Sequence, residues 1–283
     1  MNRDIMHYRK LGATESEISE IGYGARGGGN EEQCIRALKR AFEVGVNFVD
    51  TAADPEIERL VGRALNEAYA RIYVSTRIPP KPGSSAGAFQ DSYPLDYLTE
   101  FTEQSLVNLR MGQIYLQQFS TWTDEWMNSD EWRRAIEILK SSGKVRFFGI
   151  CASPRDPDSA LEAVRTGAFA AVRVNYGIFD RSAEKNLFPL CQQMKVGVIA
   201  QSWQDVASNP EMAPRIKELE RDLANVPGTL EQVALRFCLS DKAIASVILD
   251  MQTEEAVESN CRAASGGMLD ARTLAILQRH AAL

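Results

Sequence analysis

The sequence predicts an α/β protein, a (β/α)8 TIM barrel, on three observations. Eight short apolar runs alternate with amphipathic stretches of helical length. Strict β–α alternation calls for a parallel sheet, and eight units close into a barrel. The runs are rich in Val, Ile and Phe, too short for helices, and suit strands buried on both faces. Gly45, Gly143 and Gly167 stand where helices must stop before the next strand, each suited to a left-handed cap.

The elements follow in order. HYRKLGATESEIS alternates around a turn at Gly12–Ala13 and reads as a β-hairpin able to plug the barrel bottom. The strand runs are ISEIGYG (18–24), VNFVD (46–50), IYVSTR (72–77), QIYLQQFS (113–120), VRFFGIC (145–151), FAAVRVN (169–175), VGVIAQS (196–202) and IASVIL (244–249). Helices are expected over 31–44, 57–69, 95–109, 131–142, 158–166, 182–194, 211–239 in two pieces, and 253–264, with Asp158 and Thr253 as N-caps. Two long loops remain, 78–94 and 121–130, the first a candidate lid or else a disordered segment. Gly22, Gly24 and Gly27 fit a GxGxxG pattern, yet no acidic residue closes a second strand ~20 residues on, which makes a doubly wound sheet the weaker competitor. No linker breaks the chain, so residues 1–283 read as one domain.

Composition removes several function classes. Lys+Arg 32 against Asp+Glu 38 gives a net charge of −6, which argues against nucleic acid or an acidic membrane surface as partner. No apolar run approaches the ~18–20 residues of a membrane span, and the polar start MNRDIMHYRK does not read as a signal peptide. The five cysteines are scattered without a CxxC pair, which suits a reducing cytoplasm and neither a disulfide scaffold nor a zinc ribbon. Histidine is the tightest limit. His7 and His280 lie near opposite ends, leaving no interior imidazole for a triad or an HExxH metal site. No metal is expected.

RKLGATESEISEIGYG, VGVNFVDTA, ERLVGRAL, SLVNLRMGQIYLQQ, GKVRFFGI, VNYGIFDR, VGVIAQS and VILDMQTEEAVESN resemble, in order, the segments of aldo-keto reductases, from about residue 7 to the C-terminus. The resemblance implies a site at the C-terminal ends of the strands, where an extended NADP(H) delivers hydride to a carbonyl. It also implies a Tyr proton donor, a Lys that lowers the Tyr pKa, an Asp paired with that Lys, and an orienting His. Only the Asp is kept, as Asp50; Pro55 stands nearest the Tyr position, Arg77 replaces the Lys and Ser120 the His. At positions matching those that hold the cofactor, the chain has Cys151–Ala152, Arg173, Gln201, Asp250, Gln252 and Ala256, while Ser202 and Asn260 match the family. Asp250, Glu254 and Glu255 would repel a 2′-phosphate.

Strand alternation puts Phe48, Asp50, Ser75, Arg77, Gln118, Ser120, Arg173 and Asn175 inside the barrel. A guanidinium at 77 is expected to form a forked pair with Asp50, leaving it a poor proton donor. Arg26, Arg77 and Arg173 against one aspartate make the mouth positive and suited to a small anionic or polar substrate. Asp50, Arg77, Ser120 and Tyr23 are the candidate catalytic residues; Arg26, Gln118, Trp122, Cys151, Arg173, Asn175 and Tyr176 the candidate substrate contacts. Gln201, Ser202, Gln252 and Asn260 would serve a cofactor if one binds. With so much of the hydride machinery replaced, the favoured expectation is a non-redox enzyme (lyase, dehydratase, isomerase or cyclase) that needs no cofactor. An NADP(H)-dependent reductase with a relocated proton donor (Tyr23 or water) and a non-catalytic binding protein are the alternatives.

Overall fold

A computed structural model describes residues 6–27, 30–84, 87–201, 209–267 and 269–280. Strands β1 (Tyr8–Lys10) and β2 (Glu17–Ser19) form the expected antiparallel hairpin, with Tyr8 opposite Ser19. Eight strands close a parallel barrel: β3 (Ile21–Ala25), β4 (Phe48–Thr51), β5 (Tyr73–Ile78), β6 (Ile114–Phe119), β7 (Val145–Cys151), β8 (Ala171–Asn175), β9 (Gly197–Gln201) and β10 (Ile244–Asp250), the last pairing with β3. Around it lie α1 (Glu31–Glu43), α2 (Pro55–Leu65), α3 (Phe89–Ser92), α4 (Leu95–Leu109), α5 (Glu131–Ser141), α6 (Leu161–Arg165), α7 (Leu187–Met194), α8 (Ala213–Asp222), α9 (Leu230–Ser240), α10 (Glu254–Ser265) and α11 (Ala271–His280).

The hairpin plugs the bottom. Leu11 and Ile18 are fully buried and join Phe48, Leu116, Ala171, Ile199 and Ile248 in a cluster inside the barrel. Tyr115 donates to Thr14 Oγ1 at 3.0 Å, and Ala13 N donates to Lys195 O at 2.7 Å. Gly12 has φ +53, and a Cβ there would stand 2.5 Å from both Gly197 N and Lys195 O. Outside the barrel, α2 is fixed to the wall by its one buried carboxylate. Glu58 accepts from Thr76 Oγ1 at 3.2 Å and from Asn108 Nδ2 of α4 at 2.9 Å.

Some local expectations are corrected. Helix α2 starts at Pro55, two residues early, because the Asp54 side chain accepts from Glu56 N and Ile57 N; proline suits the first turn. Asp156, not Asp158, caps the 3-10 turn Pro157–Ala160. Segment 182–194 splits into a 3-10 turn (Ser182–Glu184) and α7. Loop 78–94 does not act as a loose lid over its described residues. It holds α3; Phe89 and Tyr93 are buried against Phe119 and Trp126, and Trp126 Nε1 donates to Gly87 O at 2.8 Å. Helix α11 had no counterpart in the sequence reading. No helix among the described residues is long and apolar enough to cross a membrane.

Gly12→Ala is expected to destabilise the protein by about 2–3 kcal/mol, the left-handed strain adding to a backbone collision. Urea denaturation checks this; an unchanged midpoint would mean the plug is loose.

Candidate active site

Asp50 is the centre of the upper barrel. It faces inward on β4 between Val49 and Thr51, which face the helices, and is 2% exposed. Arg173 Nη1 on β8 makes a short contact with Asp50 Oδ2, and Gln118 Nε2 on β6 donates to Asp50 Oδ1 at 3.2 Å and to Ser75 Oγ at 2.7 Å. Arg173 also donates to Gln201 Oε1, from Nε at 3.0 Å and Nη2 at 2.6 Å. One arginine thus ties β4, β8 and β9 together across the interior. The expected forked Arg77–Asp50 pair is not formed: Arg77 Nε stands 3.7 Å from Asp50 Oδ2, and the closer guanidinium is Arg173. Register explains part of this. Arg77 lies beside Gln118 on β6, which reaches Asp50 and occupies Oδ1.

At the rim, Arg26 Nε lies 3.0 Å from Asp250 Oδ2. A count of three arginines against one aspartate therefore omitted Asp250, which the parallel pairing sets beside Gly24. Strand alternation, with Ser246, Ile248 and Asp250 inward, was the signal that could have found it. Helix α10 begins just beyond, capped by Thr253, with Glu254 and Glu255 in its first turn. Nearby cations are taken: Arg36 pairs with Glu254 at 3.5 Å and Arg40 with Glu258 at 2.9 Å. Gln252 lines a small cleft with Arg26, Cys34 and Asp250, while Asn260 sits half-buried in α10. Ser202 lies outside the described residues.

Several candidates point elsewhere. Tyr23 packs between barrel and helices with Leu38, Ile57 and Val61. Burial, then Cys34 and Asp250, push its phenol pKa far up. Tyr176 lies on the outer face against Phe188 and Phe237 and donates to Glu184 Oε1 at 2.6 Å; burial and that carboxylate raise its pKa too. Both follow from alternation, since each neighbours an inward residue. Trp122 is core rather than pocket wall, packed edge-on against Trp126, Trp132 and Phe169. Ser120 sits at the end of β6 within hydrogen-bonding reach of the Tyr93 phenol. Burial pushes the Cys151 thiol up to about 11, outweighing the lowering by Arg173 and Arg77. The thiol is half-buried and held protonated rather than activated. Asn175 stays at the mouth, its amide making no hydrogen bond to a described residue. No cluster of three His, Cys, Asp or Glu suits a metal among the described residues.

The comparisons define the class. The Aldo/keto reductase family profile matches residues 20–282, and the chain belongs to that family. It is 28% identical to an uncharacterized oxidoreductase, YqkF, of Bacillus subtilis, over 97% of this chain and 96% of that one. It is 26% identical to the NADH-specific methylglyoxal reductase of Escherichia coli, over 68% and 64%. The aldo-keto reductase AKR11C1 from Bacillus halodurans (holo form) superimposes with a TM-score of 0.83 at 26% identity, covering 98% of this chain and 97% of that one. These relatives overturn the expectation of a non-redox lyase, dehydratase, isomerase or cyclase: the family and its named members are oxidoreductases. Side-chain replacement in an old site does not by itself carry a new reaction class.

Two outcomes test the geometry. Asp50→Asn strands Arg173 and Arg77 together and should cost about 3–5 kcal/mol. Arg173→Met should cost less, because Arg77 remains to balance Asp50; urea midpoints that rank the two the other way would contradict the network. Alkylation of Cys151, followed by peptide mass spectrometry, should be far slower in the native protein than in the unfolded chain at pH 8, and should speed up as pH rises toward 11.

Proposed function

We propose that this chain is a nicotinamide-dependent oxidoreductase of a small carbonyl compound that works without a tyrosine as its immediate proton donor. One observation carries the second half of this reading. Among the described residues, none of the eight tyrosines hydrogen-bonds to Asp50, Arg77 or Arg173. The relocation to Tyr23 is dropped on the same ground, and solvent water at the mouth becomes the proton source.

The donor set fits a dinucleotide. TIM barrels commonly bind phosphate at the loops after the seventh and eighth strands and at the adjoining helix N-terminus, here the ends of β9 and β10 and the start of α10. Gln252 and Asn260 would serve the adenosine end, and Asn175 with Gln201 the nicotinamide carboxamide. The reduced dinucleotide would supply the hydride. Arg173 holds Asp50 and Gln201 in place, so the floor beneath the reacting carbonyl is rigid and polar before substrate arrives. Titration calorimetry with NADH and NADPH, then loss of NADH absorbance with a panel of aldehydes and ketones, tests the reading; it fails if neither dinucleotide binds. Tyr23→Phe and Tyr176→Phe should change turnover by less than about twofold, whereas losing a general acid costs about 10²–10⁴-fold.

The rim also sets a preference. A 2′-phosphate beside α10 would face Asp250, Glu254 and Glu255 while Arg26, Arg36 and Arg40 are already paired with carboxylates. Carboxylates accept hydrogen bonds from a free ribose hydroxyl instead. NADH should bind about tenfold or more tightly than NADPH, and Gln252→Arg with Glu255→Gln should narrow the gap. Equal affinities in the parent protein would contradict this.

A further inference from the structure

The inner layer holds one positive charge more than it balances. Asp50 faces two guanidiniums. Arg173 is satisfied, with Nη1 on Asp50 and both Nε and Nη2 on Gln201. Arg77 is not. Its side chain is 23% exposed and, among the described residues, its buried Nε has no hydrogen-bond partner and its ion pairing is limited to a 3.7 Å approach to a carboxylate oxygen already in short contact with Arg173. Next to it in register on β6, Gln118 is fully buried, and its Oε1 has no partner either. The partly exposed guanidinium of Arg77 therefore faces the open end of the barrel, above a buried acceptor that lacks a partner. Leaving such groups unmet is costly, and no described side chain meets them.

We propose that Arg77 binds the carboxylate of a small 2-oxo acid, so that the substrate is a carbonyl compound bearing its negative charge on the neighbouring carbon. The fork of a guanidinium matches a carboxylate through two parallel hydrogen bonds, which an ammonium cannot reproduce. The bound anion supplies the missing negative charge beside Asp50. A carboxylate one bond from the carbonyl also keeps the reacting carbon within the Asp50–Arg173 layer. This assignment rests on the oxidoreductase reading for the word substrate, but the binding itself does not.

The test is titration calorimetry with oxamate, an unreactive carboxylate analogue of a 2-oxo acid, and with its neutral counterpart oxamide, on the full chain with and without NADH. Oxamate should bind at least about tenfold more tightly than oxamide, the difference expected for a charge-assisted contact. Arg77→Met should abolish that difference while the NADH dissociation constant stays within about twofold and the circular dichroism is unchanged. Should Arg77→Met fail to fold, Arg77→Lys, which keeps the charge and loses the fork, should still weaken oxamate about tenfold or more. Equal binding of oxamate and oxamide, no oxamate binding, or oxamate affinity retained in either variant overturns the proposal. Failure of the oxidoreductase reading shows separately, as absence of any dinucleotide binding, whatever oxamate does.

Discussion

The upper half of this barrel depends on a single buried ion pair, Asp50 with Arg173. A carboxylate and a guanidinium inside a barrel each forfeit several kcal/mol of hydration. The fold offsets that by giving nearly every polar atom a partner: Gln118 for one Asp50 oxygen, Arg173 for the other, and Gln201 for the rest of the guanidinium. The same bonds join β4, β6, β8 and β9 from within, where a hydrophobic layer would have joined them without direction. Apolar packing takes over one layer down, around Phe48, Leu116 and Ile199, and the hairpin closes the bottom with Leu11 and Ile18. The closed end is thus held by apolar packing, and the open end by directional bonds that fix side-chain positions.

That arrangement explains why the barrel was legible in the sequence and the site only in part. Period-two alternation and capping glycines are local, so β3 to β10 and the inward set from Phe48 to Asn175 could be read from the chain itself. The same alternation should have excluded Tyr23 and Tyr176, each a neighbour of an inward residue, and should have included Asp250. Ion-pair partners are another matter. Whether Asp50 takes Arg77 or Arg173 depends on tilt and reach across the barrel, and residues 77 and 173 are almost a hundred positions apart in the chain. The packed half of loop 78–94 has no strong local signal because contacts between aromatic rings define it, whereas helix α11 did carry one, the Asp270 side chain that accepts from Thr273 N.

Function was misread for a related reason. Replacing three of four residues in a familiar catalytic set removes one solution to proton delivery; it does not remove hydride transfer, which the dinucleotide carries and the protein only positions. Hydride arriving at a carbonyl carbon leaves negative charge on the oxygen, and the physical demand is for something to stabilise that charge. A phenol does so by giving up a proton. Nearby guanidiniums favour that charge electrostatically without giving up a proton, because they stay charged at any working pH, and the proton that completes the alcohol then comes from water.

The rim shows the same economy with charge. Arg26 is paired with Asp250, Arg36 with Glu254 and Arg40 with Glu258, so carboxylates hold the cations where β10 passes into α10. Inside, one carboxylate is shared by two cations. The outer ring is therefore poor at holding a phosphate monoester, and the inner ring retains an appetite for an anion. Under the proposed assignment, a small anion that crosses the rim gains more with depth, and its charge, held against Arg77, would decide which of its atoms lies nearest the layer of Asp50.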